Sequence, residues 1–202
     1  MKRVLLLAVG VVVSCACAPE TRSSSRDQQA AAEGSGVSEA REGPCQISNS
    51  TTLTGQGIGA LVIGLTVAEV RNICHVIRDT VELDEEAQEE RQLTVDLQRD
   101  TVVAAVADDT VWRIEVHRGA FRTVDSLGVG SSLRGLLRSP GGHGAEGDAG
   151  LFVLLPSHCG LSFHLGYDVK DEEHRGDWAL SDLSRLPDTT LVDYVLVVGC
   201  QR

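Results

Sequence analysis

The sequence predicts an α+β fold: two tandem strand-helix-three-strand repeats, forming an antiparallel sheet with helices on one face. Three observations predict it. An element of pattern aliphatic-Gly-x-Thr/Ser-aliphatic-x-x-aliphatic occurs at Ile63-Gly64-Leu65-Thr66-Val67-Ala68-Glu69-Val70 and again, 66 residues later, at Val129-Gly130-Ser131-Ser132-Leu133-Arg134-Gly135-Leu136. Each copy is followed by segments whose apolar residues alternate with period two, as in half-buried strands. The stretch from Cys45 to the C-terminus is one domain's worth of chain, long enough for a core.

In each copy the glycine turns the chain out of a strand and the hydroxyl residue caps the next helix. Thr66 and Glu69 have the T-x-x-E spacing of a capping box, and Val67, Val70, Ile73, Cys74 and Ile77 follow at helical spacing. In the second copy Ser132 is the cap, but Gly135 stands where the reciprocal acid would, which costs about 1 kcal/mol relative to Ala and predicts a shorter helix. The charged run Glu82 to Arg91, with Glu85, Glu86, Glu89 and Glu90, reads as a solvated loop or helix extension. Strands are expected at 92–98, 101–107 and 111–117, with a turn at Asp108-Asp109-Thr110. The second copy repeats the order at 151–155, 161–166 and 190–198. An insertion, Tyr167 to Asp188, holds a possible helical turn at Ala179 to Leu186. The expected repeats are 51–118 and 119–200.

Ahead of this body lie two segments of different composition. Lys2 and Arg3 precede an unbroken apolar run, Val4 to Val13, which at about 1.5 Å per residue covers only half of a roughly 30 Å hydrocarbon layer. Val12-Val13-Ser14-Cys15 resembles the lipobox of bacterial lipoproteins, with an aliphatic residue at minus three and a small one at minus one. That resemblance implies a signal peptide over residues 1–14 and acylation of Cys15. With Ala16 rather than Asp following, it also implies an anchor in the outer membrane facing the periplasm. The competing reading is ordinary cleavage at Ala16-Cys17-Ala18, which would leave Pro19 first. Residues 15–44 are rich in Ala, Ser, Gly and charge, and cannot bury enough surface to offset ordering entropy. They read as a tether, about 30 Å across as a coil and stretching to about 95 Å.

The helix-on-sheet outline behind a lipidated cysteine is similar to the small lipoproteins of the β-barrel assembly machine and to tandem β-lactamase inhibitor proteins. Only the two Gly-x-Thr/Ser elements carry that likeness, which implies a fold and no activity.

The chain has 18 basic and 29 acidic residues and a net charge of −11, which becomes −13 once Lys2 and Arg3 leave with the signal. Such a body has no bulk attraction for nucleic acid or anionic lipid. Its expected partners are the bilayer, reached through an acylated Cys15, and an envelope protein not identified by sequence. No cofactor and no metal site is expected. His143, Glu146 and Asp148 lie in a glycine-rich loop, Ser139 to Gly150, whose spacing matches no metal site, and the loop lacks the GK[ST] ending of a phosphate cradle. His158 and His164, on one strand, stand about 20 Å apart, too far to share a metal.

In an oxidising compartment Cys45, Cys74, Cys159 and Cys200 suggest two disulfides. Cys45 opens the domain and Cys200 closes it, which favours Cys45–Cys200 with Cys74–Cys159. The alternative for the second pair is two separately buried thiols. Cys74-His75 and His158-Cys159 do not preassemble a nucleophile and base, because neighbours on a strand point to opposite faces.

The leading functional reading is a non-catalytic protein-binding or envelope-assembly lipoprotein. The alternative is a periplasmic enzyme with an unrecognised His/Asp site. A cleft holding two of His117, His143, His158 and Asp168 would favour the enzyme, and an apolar patch around Phe121 or Trp178 would favour the binding module.

Overall fold

The computed structural model describes residues 45, 52–83, 88–98, 100–147, 149–167 and 177–200. The signal peptide, Cys15, Cys17, the tether, Glu85, Glu86, Asp148 and residues 168–176 of the insertion, Asp168 among them, lie outside them.

The architecture is mostly β, and this corrects the α+β expectation. A small sheet of β1 (Leu53–Thr54), β2 (Gly57–Ile58) and β3 (Leu61–Val62) precedes α1 (Val67–Ile73). Then come β4 (His75–Leu83), β5 (Glu89–Asp96), β6 (Thr101–Ala107), β7 (Thr110–Val116), α2 (Leu133–Leu136), β8 (His143–Gly147), β9 (Gly150–Leu154), β10 (Leu161–Leu165), β11 (Asp177–Trp178), α3 (Leu180–Leu183) and β12 (Val192–Val197). Strands β4 to β12 form one nine-stranded sheet in the order β11-β8-β9-β10-β12-β7-β6-β5-β4, with every pairing antiparallel. The described helices are of seven, four and four residues.

The excess of sheet comes from two segments read otherwise in the sequence. The helical spacing through Cys74 and Ile77 stops at Ile73, because Cys74 turns extended (φ −123°, ψ 155°) and β4 begins at once. The described part of the charged run is therefore strand, Glu82 near the end of β4 and Glu89 to Arg91 at the start of β5, with Glu82 paired to Glu90. Likewise His143–Gly147, inside the supposed glycine-rich loop, is strand β8 paired to β9.

The two copies of the Gly-x-Thr/Ser element make the same backbone bonds. Gly64 N donates to Val111 O at 2.7 Å and Gly130 N to Val192 O at 2.6 Å; Val67 N donates to Asp109 O and Leu133 N to Thr190 O, each at 3.0 Å. Gly64 (φ 91°) and Gly130 (φ 81°) occupy the left-handed region, which is why the pattern demands glycine there. Thr66 Oγ1 accepts from Glu69 N at 3.2 Å while Glu69 Oε2 accepts from Thr66 N at 2.8 Å; Ser132 Oγ accepts from Gly135 N at 3.2 Å with no reciprocal acid. The first copy is followed by four strands and the second by five, and the two groups meet where β7 pairs with β12, Val116 opposite Val195.

One face of the sheet is the core. Leu93, Val95, Val102, Ala104, Ile114, Val116, Leu151, Val153, Phe163, Val195 and Val197 are buried there with Val67 and Val70 of α1, Leu133 and Leu136 of α2, and Leu183 of α3. Aliphatic side chains fill most of it, as the shortage of aromatics requires.

Four cysteines form two disulfides, but not as the sequence suggested: Cys45 is bonded to Cys74 and Cys159 to Cys200. The Cα separations are 4.9 and 5.3 Å. Cys74 ends α1 and Cys159 opens β10, next to the end of β12, so each bridge stays within its own half of the sheet.

Candidate binding face

Alternate residues on the strands leave the second face of the sheet lined with half-buried polar and aromatic groups. Its centre is built by two β-bulges. Between β10 and β12, His164 pairs with Tyr194 and Leu165 with Val192, so Asp193 is the extra residue. Between β6 and β7, Ala105 pairs with Arg113 and Val106 with Val111, so Trp112 is the extra residue. Val111 and Val192 accept the corresponding bonds from Gly64 and Gly130, so Trp112 and Asp193 are structurally equivalent in the two halves. A bulge bends its strand and re-aims a side chain, and here it does so twice with different chemistry.

In the second half, Asp193 Oδ1 lies 2.5 Å from His164 Nδ1, and Ala149 O lies 2.7 Å from His164 Nε2. Tyr194 stacks on the His164 ring at 4.2 Å between centroids, inclined by 15°, and Phe152 meets the same ring edge-on at 4.9 Å. Both His164 nitrogens face acceptors, so the ring is tied at each end and neither nitrogen is left for a substrate. In the first half, the Arg113 guanidinium sits 4.5 Å above the Trp112 ring, a cation–π contact. Arg113 also pairs with Glu90 at 3.0 Å and Glu115 at 2.9 Å. Among the described residues its Nε–H has no acceptor.

Between the two clusters, His117 Nε2 lies 3.1 Å from Glu115 Oε2, and the His117 ring is 5.3 Å from that of Tyr194. The hydrogen bond to Glu115 raises His117 against the opposing effect of partial burial. Burial pushes Glu115 up, but the His117 hydrogen bond and the charges of Arg113 and His117 outweigh it and leave Glu115 lowered. The result is a continuous row, Glu90, Arg113, Glu115, His117, Tyr194, His164 and Phe152, across β5, β7, β12, β10 and β9.

A second polar chain lies elsewhere. Ser157 Oγ is 2.9 Å from His158 Nδ1, and His158 Nε2 is 2.9 Å from Asp125 Oδ1. Thr123 Oγ1 donates to Asp125 at 2.6 Å and, with His158, lowers its pKa. Ser157 and His158 come together by adjacency in the short turn Pro156–His158. Neither described cavity reaches them. One, of about 530 Å³, is a groove lined by Val81, Glu89, Arg91, Val106, Asp109 and Trp112; the other, of about 260 Å³, lies between α2 and α3 beside Leu133, Leu137, Leu183 and Leu186. His117 and His143 line neither cavity. Phe121 and Trp178, anticipated as an apolar patch, are buried at 2% and 7% exposure. Among the described residues no His, Cys, Asp or Glu cluster could hold a metal ion, and no helix is long and apolar enough to cross a membrane.

In fold the chain is similar to the uncharacterised protein yfeY of Escherichia coli, with a TM-score of 0.52 at 13% identity, over 73% of this chain and 99% of that one. At that identity the likeness is one of fold alone. No family model matches the chain, and no curated protein matches it.

His117 and His158 were named from the sequence as candidates, but separately. Their partners Glu115 and Asp125, and the Asp193 that holds His164, come from strand register and bulges. Glu115 and His117 stand two residues apart, a spacing that shares a strand face, and that is the only signal the sequence holds for the pair.

Proposed function

We propose that this chain is a lipid-anchored envelope module, exported by residues 1–14 and acylated at Cys15, that binds a protein partner on the polar-aromatic face of its sheet. The observation that carries the reading is the matched pair of bulge clusters, Trp112–Arg113 and Asp193–His164–Tyr194, at opposite ends of the β7–β12 pair on that face and joined there by Glu115 and His117. Aromatic and arginine side chains that are already held in place bind at low entropic cost, and such residues are the usual anchors of protein interfaces. Catalysis fits the same face poorly, because His164 is tied at both nitrogens and Arg113 is flanked by two carboxylates. The strongly acidic chain selects a partner surface rich in basic residues.

The test is site-specific photo-crosslinking from Ser162, which lies on this face between β9 and β12, in cells expressing the full chain. A defined crosslinked partner, lost in Arg113→Ala and Tyr194→Ala but kept in Val124→Ala, supports the reading; equal capture by all three variants sinks it. The anchor is tested apart from the face. Cys15→Ser should move the protein from the membrane to the soluble fraction and abolish palmitate labelling, and unchanged labelling would reject Cys15.

The second reading, an enzyme, rests on the Ser157–His158–Asp125 chain. It requires a fluorophosphonate probe to label Ser157 in the folded protein and not in His158→Ala.

A further inference from the structure

Strand β4 ends the nine-stranded sheet, and among the described residues nothing pairs with its outer edge. It is long for an edge strand, nine residues, and holds neither Lys nor Pro; its one bulge, at Ile77, lies near the start and leaves Arg78 to Leu83 in regular register with β5. Three of its large apolar side chains are exposed: Ile77 by 51%, Val81 by 59% and Leu83 by 68%. An edge of this kind is a template for another strand.

We propose that the outer edge of β4 is a self-association surface, on which a second copy of this chain adds its own β4 antiparallel about a two-fold axis through Thr80. The charge pattern selects both the occupant and the register. With Thr80 opposite Thr80, Arg78 of each copy stands opposite Glu82 of the other, giving two opposite-charge pairs on one face. The same register brings Leu83 of each copy toward Ile77 of the other, the bulged residue of β4, and sets Asp79 beside Val81. Asp79 keeps its own cations, since Arg71 and Arg91 both bind its carboxylate. Shifting the axis to Asp79 puts that carboxylate opposite itself. A sequence that reads as its own complement in one register favours a second copy over an unrelated strand.

The overlap is only seven residues a side, at the weak end of protein interfaces, so the dimer is reversible and concentration-dependent. The join would continue the sheet to eighteen strands with both polar-aromatic faces on the same side.

Sedimentation velocity of the purified full chain over rising concentration tests this. The wild type should shift from monomer to dimer. Arg78→Glu, which sets an acidic residue opposite each Glu82, should weaken the dimer roughly tenfold. Combining Arg78→Glu with Glu82→Arg should restore it, because the swapped charges meet again. Glu82→Arg alone carries the same repulsion with opposite sign, and serves if Arg78→Glu fails to fold. Three results overturn the proposal: a wild type monomeric at millimolar concentration, a dimer indifferent to both charge reversals, or a monomer whose β4 amides resist hydrogen exchange, which would mean that the chain's own N-terminal segment covers the edge.

Discussion

At Gly150 a single hydrogen is all the space that His164 leaves. A Cβ there would lie 2.6 Å from His164 Nε2, and the residue sits at φ 122°. Gly150→Ala is therefore expected to displace the ring from Ala149 and lower stability by about 1–3 kcal/mol, read from urea unfolding. His164→Phe keeps a ring beside Tyr194 but leaves the Ala149 carbonyl without its donor, and a loss of about 2 kcal/mol is expected. If either variant unfolds like wild type, the tie from His164 to the β8–β9 turn is not structural. The Glu115–His117 pair makes a pH statement with two limbs. His117 is raised from its ordinary 6.5, so its contribution is complete below that value and is lost as pH rises through the raised one. Glu115 is lowered from 4.5, so its contribution is complete above that value and is lost as pH falls through the lowered one. The pair should thus contribute most between pH 4.5 and 6.5, by less than about 1 kcal/mol since His117 is half exposed, and His117→Gln should flatten the alkaline limb. These partners were hidden in the sequence for a physical reason. Asp193 reaches His164 only because a bulge displaces it from strict alternation, and no periodicity rule reports a bulge.

The two helix starts form an internal comparison at the level of the element. Thr66 and Glu69 exchange bonds in both directions, whereas Ser132 accepts one bond and receives none back. Thr66→Ala should cost about 1 kcal/mol and Ser132→Ala about half of that, and equal losses would show that the reciprocal Glu69 bond is idle. This element was legible because capping is local chemistry, fully encoded within four residues. Strand β4 was not. Its residues extend the helical spacing of α1 through Cys74 and Ile77, and only the extended backbone at Cys74 ends the helix. As an exposed edge it also lacks the buried-exposed alternation by which β5, β6 and β7 were recognised. Asp79 reports on that edge. Arg91 first, then Arg71, hold its carboxyl down at about 2 against opposing desolvation. Its contribution is present above the ordinary 3.8 and is lost as pH falls toward 2. Asp79→Asn should remove that acid limb and little else, because exposed pairs are worth at most about 1 kcal/mol.

Across the whole molecule, the halves meet through β7 and β12, and among the described residues no disulfide crosses between them. A bridge from Cys45 to Cys200 would have clamped the ends of the body and closed a loop of nearly its full length. The bridges instead close separations of 29 and 41 residues, one in each half. Sequence order made the terminal clamp attractive, but it contains no information on which strand lies beside the chain end: β12 returns alongside β10, so Cys200 arrives at Cys159. On the chain-entropy account the shorter loop contributes about 3.5 kcal/mol and the longer about 4 kcal/mol. A non-reducing peptide map should yield the Cys45 peptide joined to that of Cys74, and Cys159 joined to Cys200; a Cys45–Cys200 peptide would overturn the pairing. Because each bridge is confined to its own half, their removal should be separable. Cys159→Ala with Cys200→Ala should raise hydrogen exchange first in β9, β10 and β12, and Cys45→Ala with Cys74→Ala first in α1 and β4. A uniform rise in both variants would mean that β7 and β12 couple the halves into one cooperative unit stronger than either bridge. The bulge clusters on that shared face would then loosen together rather than one at a time.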